Sequence, residues 1–109
     1  VADAVFRPGE VLHAPHLIDA EIAQVLRRLT SAGHLPAPRA TEAFDDLRAL
    51  RLVRHSHLPL LDRVWGLRAN LSAYDGLYIA LAESLDSPLV TLDERLARAP
   101  GHTAAVWIP

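Results

Sequence analysis

The sequence predicts an α/β domain of three layers, α/β/α, around a mostly parallel central sheet. Three observations predict it. Short apolar segments without polar alternation, such as Leu89 to Leu92, read as strands covered on both faces. Segments of helical period separate these strands, and those of ten residues or more are long enough for the crossovers that parallel strands require. The chain has 109 residues, 50% of them hydrophobic, which is enough for one ordinary core and too little for two.

Taken in order, Ala2 to Phe6 reads as the end of a helix, broken by Arg7-Pro8-Gly9-Glu10, and Val11 to His13 as a short strand. Ile18, Ile22, Val25, Leu26 and Leu29 recur at helical spacing, so Leu17 to Ala32 is a helix, stopped by Gly33 and Pro36. Pro38 at a start position with Ala43, Phe44, Leu47 and Leu50 gives a second helix over 38–51. Leu52 to His55 reads as a strand and Leu60 to Asn70 as a helix. Ser72 caps a helix striped by Tyr74, Leu77, Tyr78, Leu81, Ala82 and Leu85, which ends near Asp86 before Pro88. Strand Leu89 to Leu92, a brief helix Asp93 to Ala99 and a strand Ala104 to Ile108 complete the domain. Trp65, Tyr74, Tyr78 and Trp107 fall at core-compatible positions.

Composition removes several functions. No Cys means no disulfide, thiolate zinc site, iron–sulfur cluster or cysteine nucleophile, and fits a cytoplasmic setting. No apolar run approaches the roughly 20 residues of a membrane span. The five Gly are scattered, so no phosphate-cradling loop is present, and Ser56, Ser72 and Thr91 lie in no nucleophile elbow. The pairs His13/His16 and His55/His57 lack the helical spacing of a zinc motif. With no Met in the chain, Val1 is not expected to be a translation start.

Open parallel sheets build their sites at the carboxyl ends of strands and in the loops that follow. Three acids stand near such places: Glu21 after the first strand, Asp75 opening its helix and Asp93 directly after Leu89 to Leu92. Each also has a purely structural reading. Glu21 borders the apolar stripe of its own helix and would serve as a rim acid paired with an Arg such as Arg28. Asp75 closes a Ser72-x-x-Asp75 capping box, and Thr91-x-x-Glu94 is a second possible box around Asp93. Asp19, in the same helix as Glu21, reads as a first-turn acid favoured by the helix dipole.

Taken together the three acids read as a metal site. Carboxylates gathered at one sheet edge repel, and a cation relieves that repulsion without forcing protons onto them. An all-oxygen set suits Mg²⁺ or Mn²⁺, ions that polarise phosphoryl oxygens and lower the pKa of water. The charge distribution fits a polyanionic substrate. Residues 1–21 carry one Arg against four acids, residues 22–70 eight Arg against four acids, and residues 71–109 two Arg against five acids. The basic middle holds Arg27, Arg28, Arg39, Arg48, Arg51, Arg54, Arg63 and Arg68, available to a phosphate backbone or to neighbouring carboxylates.

The stretch Leu71-Ser-Ala-Tyr-Asp75-Gly-Leu-Tyr-Ile-Ala-Leu-Ala-Glu83, followed by Ser87-Pro-Leu-Val-Thr-Leu-Asp93-Glu-Arg-Leu96, resembles the C-terminal half of PIN-domain ribonucleases, particularly VapC-type toxins of bacterial toxin–antitoxin pairs. His13-Ala-Pro-His-Leu-Ile-Asp-Ala-Glu21 to Arg28 is similar to the segment that carries the family's first helical Glu. The resemblance implies that Glu21, Asp75 and Asp93 are metal-site acids, with Asp93 the more variable. It also implies Mg²⁺- or Mn²⁺-dependent cleavage of RNA such as tRNA or rRNA, a homodimer, and a cognate antitoxin that neutralises it. The family opens with a strand bearing an Asp followed by Ser or Thr, and no such strand precedes Val11. The expectation is therefore a single PIN-like domain, 1–109, that lacks its N-terminal strand and part of the first helix, some twenty residues upstream on ordinary domain anatomy. Asp3 is not taken as the missing ligand. Two other readings stand beside the nuclease: a noncatalytic PIN-like module that binds RNA or protein, and a different α/β domain whose three acids are helix caps.

Overall fold

A computed structural model describes residues 11–109, which form two compact units, 11–54 and 55–109. The expected helix end at Ala2 to Phe6, and Asp3 with it, lie outside the described residues.

In the first unit, strand β1 (Leu12–Pro15) leads into helix α1 (Leu17–Ser31), then α2 (Ala37–Ala49) and β2 (Leu52–His55), and β1 pairs with β2. Helix α1 ends as its sequence predicts. Gly33 takes φ +76°, its amide donates to Thr30 O at 3.1 Å and the His34 amide donates to Leu29 O at 2.9 Å. This double reversal satisfies carbonyls that the helix leaves open, and the absence of a Cβ makes the left-handed backbone inexpensive. Pro36 caps α2 and Pro38 lies in its first turn, where a missing N–H costs nothing. Along α1 the apolar stripe is only half-covered: Val25 and Leu29 are exposed. An open groove of about 370 Å³ runs between α1 and α2, lined mainly by Ala23, Leu26, Ala40 and Phe44. Asp19 is more than a dipole acid, because its two oxygens accept Arg54 Nε at 2.6 Å and Nη2 at 2.8 Å, pinning α1 to β2. That fork holds the Asp19 carboxyl below its usual range.

The second unit is built on α4 (Ala73–Leu85), whose Gly76, Leu77, Ile79, Ala80, Leu81 and Ala82 are all buried. A helix apolar over so much of its circumference must be enclosed by neighbours. A 3₁₀ turn (Leu58–Leu60) and helix α3 (Leu61–Gly66) pack on it through Leu60 and Val64, and Leu67, just beyond, is almost fully buried. A methyl group placed on Gly76 would lie 3.4 Å from Val64 Cγ1, an ordinary contact, so α3 lies directly over this turn of α4. The single long helix expected over Leu60 to Asn70 is broken. The amides of Leu67, Arg68, Asn70 and Leu71 instead close tight turns after Gly66. Trp65, Tyr74 and Trp107, expected in the core, are 68%, 64% and 47% exposed. Arg68 stacks its guanidinium 4.7 Å from the Trp65 ring centre.

Helix α4 ends with Asp86 in the left-handed conformation (φ 48°), the amides of Asp86 and Ser87 reaching back to Glu83 and Ala82 carbonyls. Pro88 follows, and the chain enters β3 (Leu89–Val90), crosses through helix α5 (Glu94–Arg98) and returns as β4 (Val106–Trp107). Strands β3 and β4 are parallel, with Leu89 opposite Val106 and Val90 opposite Trp107. The ring of His102 joins the two parts of the return: Nε2 lies 2.7 Å from Leu96 O, and Nδ1 accepts the Ala104 amide at 3.2 Å.

Glu83 closes this unit. Its carboxylate accepts Arg63 Nε at 2.8 Å and Nη2 at 2.9 Å, and also the amide and hydroxyl of Thr103 at 2.8 and 2.9 Å. The same Arg63 donates to Gly101 O at 2.9 Å. The Arg63 fork draws the Glu83 carboxyl from an ordinary 4.5 to about 2; burial opposes the shift, and the Thr103 amide and hydroxyl reinforce it. A carboxyl depressed on folding contributes stability that is complete above the unfolded value and lost as pH falls from about 4.5 toward 2. With its side chain only 12% exposed but its partner 43% exposed, the contribution is about 2–3 kcal/mol. Urea midpoints measured from pH 7 to pH 3 are expected to fall in this window for the native chain and far less for Glu83→Gln, which starts lower. Equal acid slopes in the two proteins would remove Glu83 from this role.

Candidate metal centre

Asp93 ends the β3 connection and starts α5. Its Oδ1 accepts the amide of Arg95 at 3.0 Å, so it is the helix N-cap, and the Asp93 amide is held by Thr91 Oγ1 at 3.1 Å. The Thr91-x-x-Glu94 box expected from sequence thus resolves differently: Thr91 fastens the turn and Asp93 does the capping. Asp75 lies in the first turn of α4, half-buried, where its amide donates to Ser72 Oγ at 3.1 Å. The Ser72 cap is present, and it engages the backbone of Asp75. Glu21 is half-buried on α1, in the first unit.

Asp93 and, more weakly, Asp75 both attract the side chain of Arg95. Arg95 forks onto Asp93, with Nε 2.9 Å from Oδ1 and Nη2 2.6 Å from Oδ2, and the field of Asp75 acts on the same guanidinium. The Arg95 fork is the main reason that the Asp93 carboxyl lies below its usual range. Arg95 is thus held chiefly by Asp93, with a smaller attraction from Asp75, and the donors on both acids are oxygen alone, the chemistry that suits Mg²⁺ or Mn²⁺. Among the described residues no three His, Asp or Glu side chains are gathered as a metal cage. Magnesium-type ions ordinarily retain several waters and need only one or two protein carboxylates, so the oxygen-only chemistry of Asp75 and Asp93 is compatible with such an ion.

The basic middle of the chain divides. Arg39 pairs with Glu42, Arg54 with Asp19 and Arg63 with Glu83, which is the structural reading of those three. Arg27, Arg28, Arg48 and Arg51 are exposed and form none of the ion pairs described among residues 11–109. Sequence reasoning overlooked Arg95 altogether. Its only signal is its place two residues after Asp93, a spacing with no periodic meaning.

A family model described as "PIN domain" matches residues 1–102. Ribonuclease VapC9 of Mycobacterium tuberculosis is 49% identical over 89 residues, covering 82% of this chain and 70% of that protein. Ribonuclease VapC1 of the same organism is 46% identical over 92 residues, 84% of this chain and 69% of that protein. Ribonuclease VapC12 is 33% identical over 98 residues, 90% of this chain and 76% of that protein.

Because Asp93 caps α5, its structural and ligand roles are separable by substitution. Asp93→Ser, which retains a capping oxygen, is expected to melt close to the native chain, and Asp93→Ala a few degrees lower. Thermal unfolding by circular dichroism reads the difference; an equal loss in both variants would mean that the cap bond is not what Asp93 adds to stability.

Proposed function

Since the chain belongs to the PIN-domain family and shares its three-layer α/β/α fold, with relatives named as VapC ribonucleases, we propose that it is the endoribonuclease toxin of a toxin–antitoxin pair, dependent on Mg²⁺ or Mn²⁺. The observation that supports the reading is the Arg95 fork on Asp93, a guanidinium also attracted by Asp75, within the segment that bears the family motif.

In this reading Asp75 and Asp93 hold the divalent ion. Glu21 contributes a third carboxylate, a role supported by its motif, His13 to Arg28. The ion supplies Lewis-acid polarisation of the scissile phosphoryl group and an acidified water. The chain's own residues account for the rest. Thr91 and the α5 backbone fix the Asp93 carboxylate at the end of β3, and Ser72 fixes the first turn of α4 that carries Asp75. A carboxylate held in this way needs little reorganisation when charge develops beside it. Arg27, Arg28, Arg48 and Arg51, unpaired with any described carboxylate, are the cations available to the RNA backbone, and they make binding salt-dependent. The substrate is RNA of the tRNA or rRNA class, acted on in the cytoplasm. A homodimer and inhibition by a small cognate antitoxin complete the proposal.

Asp75→Asn preserves size and the Ser72 cap bond to the backbone while removing one charge. Mn²⁺-dependent cleavage of tRNA and rRNA is expected to fall at least about a hundredfold in this variant, with unfolding unchanged. Gel analysis with and without chelator checks it. Native-level, chelator-sensitive cleavage by Asp75→Asn would overturn the site, and chelator-insensitive RNA binding without cleavage by either protein would favour a noncatalytic binding module.

A further inference from the structure

We propose that Arg95 is a built-in counter-ion of the metal site: it occupies Asp93 when no divalent ion is bound and must leave before one can bind, so that it sets the site's metal affinity. The proposal rests on the metal-site reading above and concerns a residue to which that reading assigns no part.

The geometry points to competition rather than to coexistence. An ionised carboxylate offers about four lone-pair positions. On Asp93, Oδ1 accepts the Arg95 amide at 3.0 Å and Arg95 Nε at 2.9 Å, and Oδ2 accepts Nε at 3.2 Å and Nη2 at 2.6 Å. Those four contacts use the carboxylate's capacity. A metal ion needs one of the same lone pairs, and the guanidinium's charge also opposes a second cation beside it. Only the backbone bond is required for capping α5. The three side-chain contacts can be surrendered without unwinding the helix.

Release of Arg95 is feasible because its side chain is 83% exposed and, among the described residues, its guanidinium hydrogen-bonds only to Asp93. An exposed pair of this kind is weak, worth little more than the entropy of holding it. It is therefore too weak to exclude a dication at sufficient concentration. Arg98, one turn on, is engaged by Glu94 at 2.9 Å and does not substitute for it.

The test is calorimetric titration of Mn²⁺ alone, without RNA, into the native chain, Arg95→Ala, Arg95→Lys and Asp75→Asn. Arg95→Ala is expected to bind Mn²⁺ about two- to fivefold more tightly, the range a weak exposed ion pair can oppose. Arg95→Lys, which keeps the charge and loses the fork, should fall between the two. Arg95→Lys also guards against a folding defect in the alanine variant, and circular dichroism confirms that each chain is folded. If the native chain binds Mn²⁺, Asp75→Asn weakens that binding and Arg95→Ala binds no more tightly than native, the counter-ion is refuted while the metal site stands. Failure of the native chain to bind, or indifference to Asp75→Asn, overturns both.

Discussion

Glu83 is the constraint on which the second unit depends. One carboxylate, mostly shielded from water, receives four donors from Arg63 and Thr103, and Arg63 passes a fifth bond to Gly101. Helices α3 and α4 and the chain returning to β4 are thereby joined at a single point. The cost of removing a carboxylate from water is met only because every oxygen is satisfied and a guanidinium supplies the opposite charge. The register of β4 against β3 follows from where Thr103 is tied, and β3 in turn delivers Asp93 to the start of α5.

Two carboxylate–guanidinium forks in this unit illustrate how burial decides what an ion pair does. Arg63–Glu83 is sheltered on the acid side and bears additional bonds, so it acts as a strut. Arg95–Asp93 has comparable distances and an Arg that is 83% exposed, so water competes for it at every moment. The chemical groups are the same. One pair resists exchange and the other invites it, and the exchangeable pair is the one on Asp93, the acid proposed as a metal ligand.

Much of the fold was legible because helices announce themselves through spacing. The stripe Ile18, Ile22, Leu26 and the stop at Gly33 placed α1 within a residue of its observed end, and Ser72 marked the start of α4. The errors have physical causes. The apolar period of Leu60 to Asn70 continues through a Gly whose backbone entropy favours turns, and Leu67 is buried by a tight turn rather than by a helix. Trp65 and Tyr74 lie at helical core spacing but on short or terminal turns, where neither neighbour is long enough to cover them. Parallel strands of two residues, β3 and β4, came out shorter than their apolar runs because Leu92 emerges into solvent, 82% exposed.

The site was legible in part for a related reason. Asp75 and Asp93 are visible in sequence because each opens a helix, and that same property gave each an adequate structural explanation. The structure resolves the capping contacts atom by atom. For Asp75 the cap is Ser72, and the bond runs to the Asp75 amide, so that bond makes no demand on the carboxylate. For Asp93 a single oxygen caps α5, and the remaining capacity is taken by Arg95, a residue that no spacing rule singles out. A helix start is a favourable place for a negative charge even before any ligand arrives. If Asp75 and Asp93 ligate a metal as proposed, their places at helix starts let the backbone offset part of their charge, and the exposed Arg95 fork on Asp93 is the group a metal ion would displace.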